Sequence, residues 1–337
     1  MRAVVCRAPG ELALEDRPEP ERGEGEVLVR VRRMGICGTD FHIYEGSHPY
    51  LQYPRIMGHE LSGEVLEAPS GSPLTSGDIV IVNPYVSCGV CIACRNGKPN
   101  CCVRIAVLGV HCDGGMCEMI VVPERNLCAA GSLTLDQAAS VEFLAIGAHA
   151  VARSGLAPGT RTLVVGAGPI GLGTALFAGL AGGDVSIMDR DEDRLAFALK
   201  SRIAARSIQA GSRAADLIRE ATDGDGFDVV FDATGSPASM ESAFGHVAHG
   251  GTLVLVSVVA EAIRFSDPEF HKREMAVLGS RNALRADFER VVAAIENGRV
   301  PLKHLLTHRT SLVGALADLP HWATRKGGLV KALVEIG

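Results

Sequence analysis

Residues 162–171 read TLVVGAGPIG, a short apolar run that leads directly into three glycines spaced as G-x-G-x-x-G. Such a run is typical of a strand that is buried on both faces of a parallel sheet. The glycines allow a tight turn, and they let a pyrophosphate approach the backbone at the amino end of the following helix. The motif therefore predicts a dinucleotide-binding loop formed by Gly166, Gly168, Pro169, Ile170 and Gly171.

Segments of strand and helix character alternate after this motif. Apolar runs predict strands at 184–189, 227–232 and 251–256, and helix-compatible stretches predict helices at 172–180, 192–202 and 285–297. Alternation of this kind, with strands that are apolar throughout, favours an α/β fold with a doubly wound parallel sheet, as in a Rossmann domain.

Asp189 lies at the end of the second predicted strand, 18 residues after Gly171. A carboxylate at this place can accept hydrogen bonds from the ribose of a bound adenosine. Its negative charge disfavours a ribose phosphate, so NAD is predicted over NADP, although the adjacent Arg190 weakens that preference. Arg194 is a further candidate for contact with the adenosine end of the cofactor.

The chain before the glycine motif has a different character. Apolar and polar residues alternate in short segments at 27–32, 61–66, 78–82 and 117–122, with glycine- and proline-rich turns between them. This pattern predicts a β-rich unit, such as a rolled-up sheet or barrel. All ten cysteines also lie in this half, between Cys6 and Cys128. Because the first residues lack the apolar core of a secretion signal, we expect these thiols to hold metal rather than to form disulfides.

Four of the cysteines follow the spacing C-x2-C-x2-C-x7-C, at Cys88, Cys91, Cys94 and Cys102. Four thiolates on one loop can close a tetrahedral zinc site, whose role is structural because no coordination position stays open. The iron–sulfur alternative needs a fourth cysteine after three residues and a following proline, and this sequence has neither. Spacing alone leaves open whether Cys101 replaces Cys102.

A third group of candidate residues is scattered along the chain. Residues 35–42 read GICGTDFH, residues 58–60 read GHE, and Glu142 lies near the start of the α/β region. A single cysteine in a loop is usually a small apolar residue, and a histidine–glutamate pair is common on surfaces. From these residues alone, a second metal site remains open.

Composition excludes several classes of function. Among 337 residues, 47% are apolar and 21% are charged, which is an ordinary balance for a globular protein. The net charge of −6 and an aromatic content of only 4% argue against a nucleic-acid partner. No apolar run approaches the roughly 20 residues of a membrane span. The sequence predicts a cytoplasmic protein with neither nucleic acid nor membrane as partner.

The order of these motifs resembles the zinc-dependent medium-chain dehydrogenases, in particular the branch that contains sorbitol and threonine dehydrogenases. The resemblance covers nearly the whole chain. It implies a GroES-like, β-rich catalytic domain at 1–143 and 284–337, with a Rossmann NAD-binding domain inserted at 144–283. It further implies an active site in the cleft between the domains and a homodimer or homotetramer.

The resemblance also assigns roles to the scattered residues. The catalytic zinc ligands that it implies are Cys37, His59, Glu60 and Glu142, without deciding which glutamate binds the ion directly. Asp40 would orient the ring of His59, and Thr39 with His42 would form a proton relay. The sequence departs from the family where Phe143 replaces a proline, and it offers Tyr44, His48 and Tyr50 as candidates for the substrate pocket.

Together these features predict a zinc-dependent enzyme that moves a hydride from a secondary hydroxyl of a small polar alcohol to NAD, giving a ketone. The expected substrates are polyols or sugar acids such as aldonates, because a metal with a carboxylate ligand suits substrates that offer it a second oxygen. The alternatives are a simple alcohol or L-threonine-type dehydrogenase and, outside enzymes, a catalytically silent nucleotide sensor. The sensor is disfavoured because Cys37, His59 and Glu142 are all present.

Overall fold

The computed structural model describes residues 1–48, 51–325 and 327–337. The chain divides into two units, one of residues 1–142 together with 284–337, the other of residues 143–283. The border falls between Glu142 and Phe143, one residue before the start expected for the second domain. Within the described ranges, no helix is long and apolar enough to cross a bilayer.

The first unit opens with short strands and helices. In chain order these are β1 (Arg2–Ala8), β2 (Glu11–Asp16), β3 (Glu26–Ile36), α1 (Gly38–Glu45), β4 (Arg55–Ile56), β5 (Glu60–Glu67), β6 (Ile79–Val82), β7 (Tyr85–Val86), α2 (Ile92–Arg95), β8 (Ala106–Val107), β9 (Met119–Pro123), β10 (Leu127–Ala129) and α3 (Leu135–Ala139). Helix α4 (Val141–Ser154) begins in this unit and continues into the second.

The second unit alternates strands and helices, and the tail adds a last group to the first unit. The alternating elements are β11 (Arg161–Val165), α5 (Pro169–Leu180), β12 (Asp184–Asp189), α6 (Glu192–Lys200), β13 (Arg206–Gln209), α7 (Ala214–Thr222), β14 (Phe227–Asp232), α8 (Pro237–Ala243), β15 (Val247–Leu255), α9 (Asp267–Lys272) and β16 (Ala276–Gly279). The tail contains α10 (Arg285–Glu296), α11 (Leu302–Leu305), β17 (Leu306–Ser311), α12 (Ala315–Thr324) and β18 (Lys331–Glu335).

Strand β3 is the centre of the first unit. Val27, Val29 and Val31 are buried and alternate with more exposed residues, as a strand with one face on the core requires. β3 pairs antiparallel with β5, β9 and β18 in a sheet ordered β10-β6-β5-β3-β18-β17. The pairing of β18 with β3 returns the end of the chain to the unit in which it began.

The second unit contains a parallel sheet ordered β13-β12-β11-β14-β15-β16. This is the doubly wound order, in which the chain starts at the middle of the sheet and winds outward in both directions. The predicted fold class, a β-rich GroES-like domain with an inserted Rossmann domain, is confirmed. The helix predicted at 192–202 ends earlier, at Lys200, because Arg202 adopts a left-handed φ of 55° that stops helical hydrogen bonding.

The glycine motif joins β11 to α5 through a very close backbone contact. A Cβ atom on Gly171 would lie 1.7 Å from the carbonyl oxygen of Gly166, far inside van der Waals contact. Gly166 itself has a φ of 99°, which side chains rarely adopt. The third glycine therefore lets the first turn of the helix lie directly on the loop.

Replacement of Gly171 by alanine should destabilise the protein by about 1–3 kcal/mol, because the new methyl group must push the loop away from the helix. Gly179 provides a matched control in the same helix, since a Cβ atom there would meet nothing closer than 4.0 Å. Gly179→Ala should leave stability unchanged or raise it by about 0.5–1 kcal/mol. Denaturant unfolding measures both, and equal effects would contradict the packing argument.

Candidate active site and cofactor site

The glycine loop and the end of β12 form the candidate cofactor site. Gly168 is the N-cap of α5 and Pro169 is its first residue, so the free N–H groups of the helix start at the loop. Asp189 Oδ2 accepts the N–H of Ala167 at 2.6 Å, and its Oδ1 accepts the N–H of Asp191 at 2.9 Å. The carboxylate thus ties the strand end to the loop, and each oxygen keeps a second lone pair that a ribose hydroxyl can use.

Arg194 extends from the first turn of α6 toward the same loop. Its guanidinium lies 4.0 Å from the position that a Cβ atom on Gly168 would occupy, and 3.6 Å from the carboxylate of Asp191. The structure therefore places Arg194 beside the glycine loop, where it can reach an adenosine phosphate or ribose.

The four-cysteine loop brings its thiols together. The sulfur atoms of Cys88, Cys91, Cys94 and Cys102 all lie within 4.8 Å of one another, whereas Cys101 is exposed and is not part of this group. A backbone N–H from Val90 and the side chain of Arg104 lower the pKa of Cys88 to about 5. Burial raises the pKa of Cys94 to about 11, so the thiols are not equally acidic, but four clustered sulfur atoms are the donor set of a tetrahedral zinc site.

Cys37, His59 and Glu60 form a second candidate metal centre. One ligand atom from each of the three lies within 4.8 Å of the others. Cys37 follows the end of β3, and Glu60 opens β5, where it stands opposite Gly35 in the antiparallel pairing of these strands. A Cβ atom on Gly35 would lie only 2.0 Å from Oε2 of Glu60, so the glycine makes room for the carboxylate.

Lys331 also belongs to this site, and it was not among the residues predicted from the sequence. Its Nζ lies 2.7 and 2.8 Å from the two carboxylate oxygens of Glu60, and it also donates to the carbonyl of Ile36 at 3.2 Å. The side chains of Lys331 and Glu60 are 1% and 0% exposed. Burial acts to lower the pKa of Lys331, but the charges of Glu60 and Cys37 more than offset it, and the net pKa lies above its ordinary value. The amine therefore stays protonated.

Glu142 occupies a separate position in the first turn of α4. Its carboxyl is not among the ligand atoms that cluster within 4.8 Å, and it accepts a hydrogen bond from the buried hydroxyl of Tyr85. Burial raises the pKa of Glu142 to about 7, although His59 acts in the opposite direction. Burial and Glu142 also raise the pKa of Tyr85 well above 10, so the phenol remains a donor. Tyr85 was not among the predicted residues.

The expected link between Asp40 and His59 is not formed as a hydrogen bond. Asp40 Oδ2 accepts the N–H of Cys37 at 2.8 Å, while Asp40 Oδ1 and His59 Nδ1 are both buried with no partner among the described residues. Burial acts to lower the pKa of His59, but a hydrogen bond to Cys37 and the charges of Cys37, Asp40 and Glu142 raise it well above 6.5. Asp40 therefore acts on the imidazole through its charge in this structure.

Thr39 and His42, the two residues of the expected relay, contact different partners. Thr39 Oγ1 is 3.9 Å from the sulfur of Cys37, so it borders the candidate metal centre. His42 is exposed, and its Nδ1 lies 3.1 Å from Ser47 Oγ. Of the suggested pocket residues, Tyr44 and His48 are half-buried, and Tyr50 lies outside the described residues.

Both groups of donors fit zinc. The first offers four thiols, and the second offers a thiol, an imidazole and a carboxylate, which are the ligand types that zinc takes in proteins. Two buried polar atoms beside the second group, Asp40 Oδ1 and His59 Nδ1, have no partner in the described chain. A buried site with orphaned polar atoms and acidic donors is chemically suited to a cation.

Replacement of Lys331 by methionine should destabilise the folded protein by about 3–5 kcal/mol, because it leaves the buried carboxylate of Glu60 without its ion-pair partner. The added change Glu60→Gln should restore most of this loss. The control is Lys272→Met, which removes an exposed pair with Glu269 at 2.9 Å and should cost no more than about 1 kcal/mol. Equal losses for the two lysines in denaturant unfolding would contradict this account.

Comparisons with known proteins agree with this architecture. Residues 23–132 match the alcohol dehydrogenase GroES-like domain, and residues 169–297 match the zinc-binding dehydrogenase family. L-galactonate-5-dehydrogenase of Escherichia coli K12 is 40% identical over 311 residues, covering 92% of this chain and 91% of that protein. Sorbitol dehydrogenase of Bacillus subtilis is 31% identical over 322 residues, covering 93% and 90%.

Solved structures show the same fold over almost the whole chain. Galactitol-1-phosphate dehydrogenase from Escherichia coli has a TM-score of 0.90 at 26% identity, with 99% of this chain and 100% of that chain covered. An alcohol dehydrogenase, rspB, from Escherichia coli CFT073, solved in complex with NADH, has a TM-score of 0.92 at 30% identity, with 99% of each chain covered. The chain therefore belongs to the zinc-dependent medium-chain alcohol dehydrogenase family.

Proposed function

We propose that this dehydrogenase oxidises a secondary hydroxyl of a polyol or a sugar acid to a ketone, with NAD as the hydride acceptor. The observation that carries the proposal is the buried cluster of Cys37, His59 and Glu60, whose ligand atoms lie within 4.8 Å of one another. Relatives whose names specify such substrates, L-galactonate-5-dehydrogenase and D-altritol 5-dehydrogenase, share 40% and 33% identity with this chain.

Two zinc ions and one NAD complete the proposed enzyme. Cys37, His59 and a carboxylate of Glu60 or Glu142 would hold the catalytic zinc, and the four-cysteine loop would hold the structural one. When bound, the catalytic zinc makes the substrate hydroxyl more acidic, and the nicotinamide takes up the hydride. Gly166, Gly168 and Gly171 admit the pyrophosphate to the start of α5.

The remaining residues of the site handle protons and charge. Thr39 borders Cys37, so we assign it to accept the hydroxyl proton of the substrate while it passes its own hydroxyl proton on toward solvent, where the exposed His42 can take it up. Lys331 neutralises Glu60 inside the protein. The carboxylate of Asp189 favours a free ribose over a ribose phosphate, which supports NAD over NADP.

Two buried carboxylates beside a thiol and an imidazole give the site more oxygen donors than one built on cysteines alone. Such a site suits a substrate that presents a second oxygen next to the reacting hydroxyl, as polyols and aldonates do. A simple alcohol and L-threonine lack that run of hydroxyls, so they serve as the discriminating competitors.

The proposal also covers location and assembly. The ten cysteines are free thiols in the structure, which suits the reducing cytoplasm. Strand β16 forms an edge of the parallel sheet, and Val277 on it is an exposed apolar residue. Such an edge supports a homodimer or homotetramer, and a monomer on a sizing column would refute it.

A rate survey with NAD tests the substrate class. We expect kcat/KM for sugar alcohols or aldonates to exceed that for ethanol and L-threonine by at least about tenfold, because binding through several oxygens is worth more than 1.4 kcal/mol. NADP should be the poorer acceptor. Cys37→Ser should abolish turnover with every substrate, and a preference for simple alcohols would overturn the proposed class.

Elemental analysis tests the metal content. We expect about two zinc ions per chain in the purified enzyme. Cys37→Ser should lose one ion and little stability, whereas Cys91→Ser should lose the other ion and lower the unfolding temperature by roughly 4 °C or more. A wild-type chain with one ion or none would contradict the two-site assignment.

A further inference from the structure

The buried hydroxyl of Tyr85 is hydrogen-bonded to Glu142, and Tyr85 belongs to neither the glycine motif nor the four-cysteine motif. Its hydroxyl donates to Oε1 of Glu142, and both side chains are buried. A free carboxylate at the start of a helix can rotate among several positions. One held through a single oxygen keeps its other oxygen, Oε2, available for a metal or a water molecule.

The position of the phenol is itself fixed from several directions. The N–H of Tyr85 donates to Asn83 Oδ1 at 3.1 Å. Asn83 is bound in turn to Asn126 by two further hydrogen bonds, of 2.7 and 2.8 Å. The ring of Tyr85 packs edge-on against Phe288 with the centroids 6.5 Å apart. The hydroxyl is therefore preorganised rather than carried on a mobile loop.

Tyr85 also lies at the base of the four-cysteine loop. Strand β7 ends at Val86, the cysteines run from Cys88 to Cys102, and the chain returns in β8, which pairs antiparallel with β7. Tyr85 stands opposite Val107 in that pairing. The thiol cluster thus closes a loop whose two ends hold the phenol in place.

We propose that Tyr85 is a positioning residue, which holds the carboxylate of Glu142 beside the centre formed by Cys37, His59 and Glu60 and so determines how firmly that centre retains its zinc. This inference rests on the proposed function, because it concerns the same metal. The four-cysteine loop would then do more than stabilise itself, because the residues at its base would also position a carboxylate of the catalytic site.

The test measures metal retention in the full chain loaded with Co²⁺, whose visible absorption depends on the number and geometry of its ligands. Tyr85→Phe keeps the ring against Phe288 and removes only the hydroxyl. We expect the variant to unfold within roughly 4 °C of the wild type, because it loses one hydrogen bond worth about 1 kcal/mol, to show altered cobalt bands, and to release the catalytic ion to a chelator about tenfold faster. Cys37→Ser identifies which release phase belongs to that ion.

The control is Tyr53→Phe, since the hydroxyl of Tyr53 donates to the carbonyl of Ile43 rather than to a carboxylate. It should leave the cobalt bands and the release rate unchanged. In a Glu142→Ala background, Tyr85→Phe should have no further effect, because the residue acts through Glu142. A release rate within about twofold of wild type, or the same acceleration in the Glu142→Ala background, would overturn the proposal.

Release is measured without substrate, so the result is separate from the proposed reaction. A wild-type enzyme that oxidises no polyol or sugar acid would refute the proposed function and leave the metal-release comparison intact. An active wild type whose Tyr85→Phe variant retains cobalt normally would refute only the role of Tyr85.

Discussion

The ion pair between Lys331 and Glu60 is the interaction on which the first unit depends. It joins the last strand of the chain, β18, to β5, and both charges are removed from water. A buried charge is tolerated only with a partner, so β5 can keep its carboxylate inside the protein only when the tail has returned and β18 has paired with β3. Pairing of β18 with β3 is therefore coupled to the burial of Glu60 in the candidate metal centre.

The burial of several carboxylates also explains why the site is suited to a divalent cation. Asp40, Glu60 and Glu142 are all buried, the charges of Asp40 and Glu142 act on His59, and Lys331 supplies one positive charge against Glu60. Burial raises the pKa of Asp40 and of Glu142, and the negative charge of Glu60 raises both further, so a carboxylate charge is unfavourable at this site. A bound cation reverses this effect on nearby acids and thiols, because it stabilises their charged forms. The donor set thus points to a metal on electrostatic grounds as well as by family resemblance.

Local sequence patterns were sufficient to predict those parts of the structure whose residues lie close together along the chain. The Rossmann unit could be predicted because the glycine motif and the strand that follows it lie within 28 residues, and the four thiols could be grouped because their loop is 15 residues long. The contacts of Lys331 and Tyr85 could not be predicted in this way, since their partners lie 271 and 57 residues away. One signal was present: a lysine within the otherwise apolar run LVKALV at 329–334 has to find a buried partner. The choice between Cys101 and Cys102 likewise needed the fold, because it depends on which sulfur faces inward.

The two buried glutamates, Glu60 and Glu142, differ electrostatically because their partners differ in charge. Lys331 binds both oxygens of Glu60, so that carboxylate shares its negative charge with an ammonium group at 2.7 and 2.8 Å. Glu142 accepts a hydrogen bond from a neutral phenol through one oxygen only. When ionised, it therefore keeps its full negative charge, and the phenol leaves its other oxygen free. A divalent cation is attracted more strongly to a carboxylate whose charge is not already compensated. The partners, rather than the carboxylates themselves, thus leave Glu142 with the less compensated charge, whereas Glu60 is the carboxylate that clusters with Cys37 and His59.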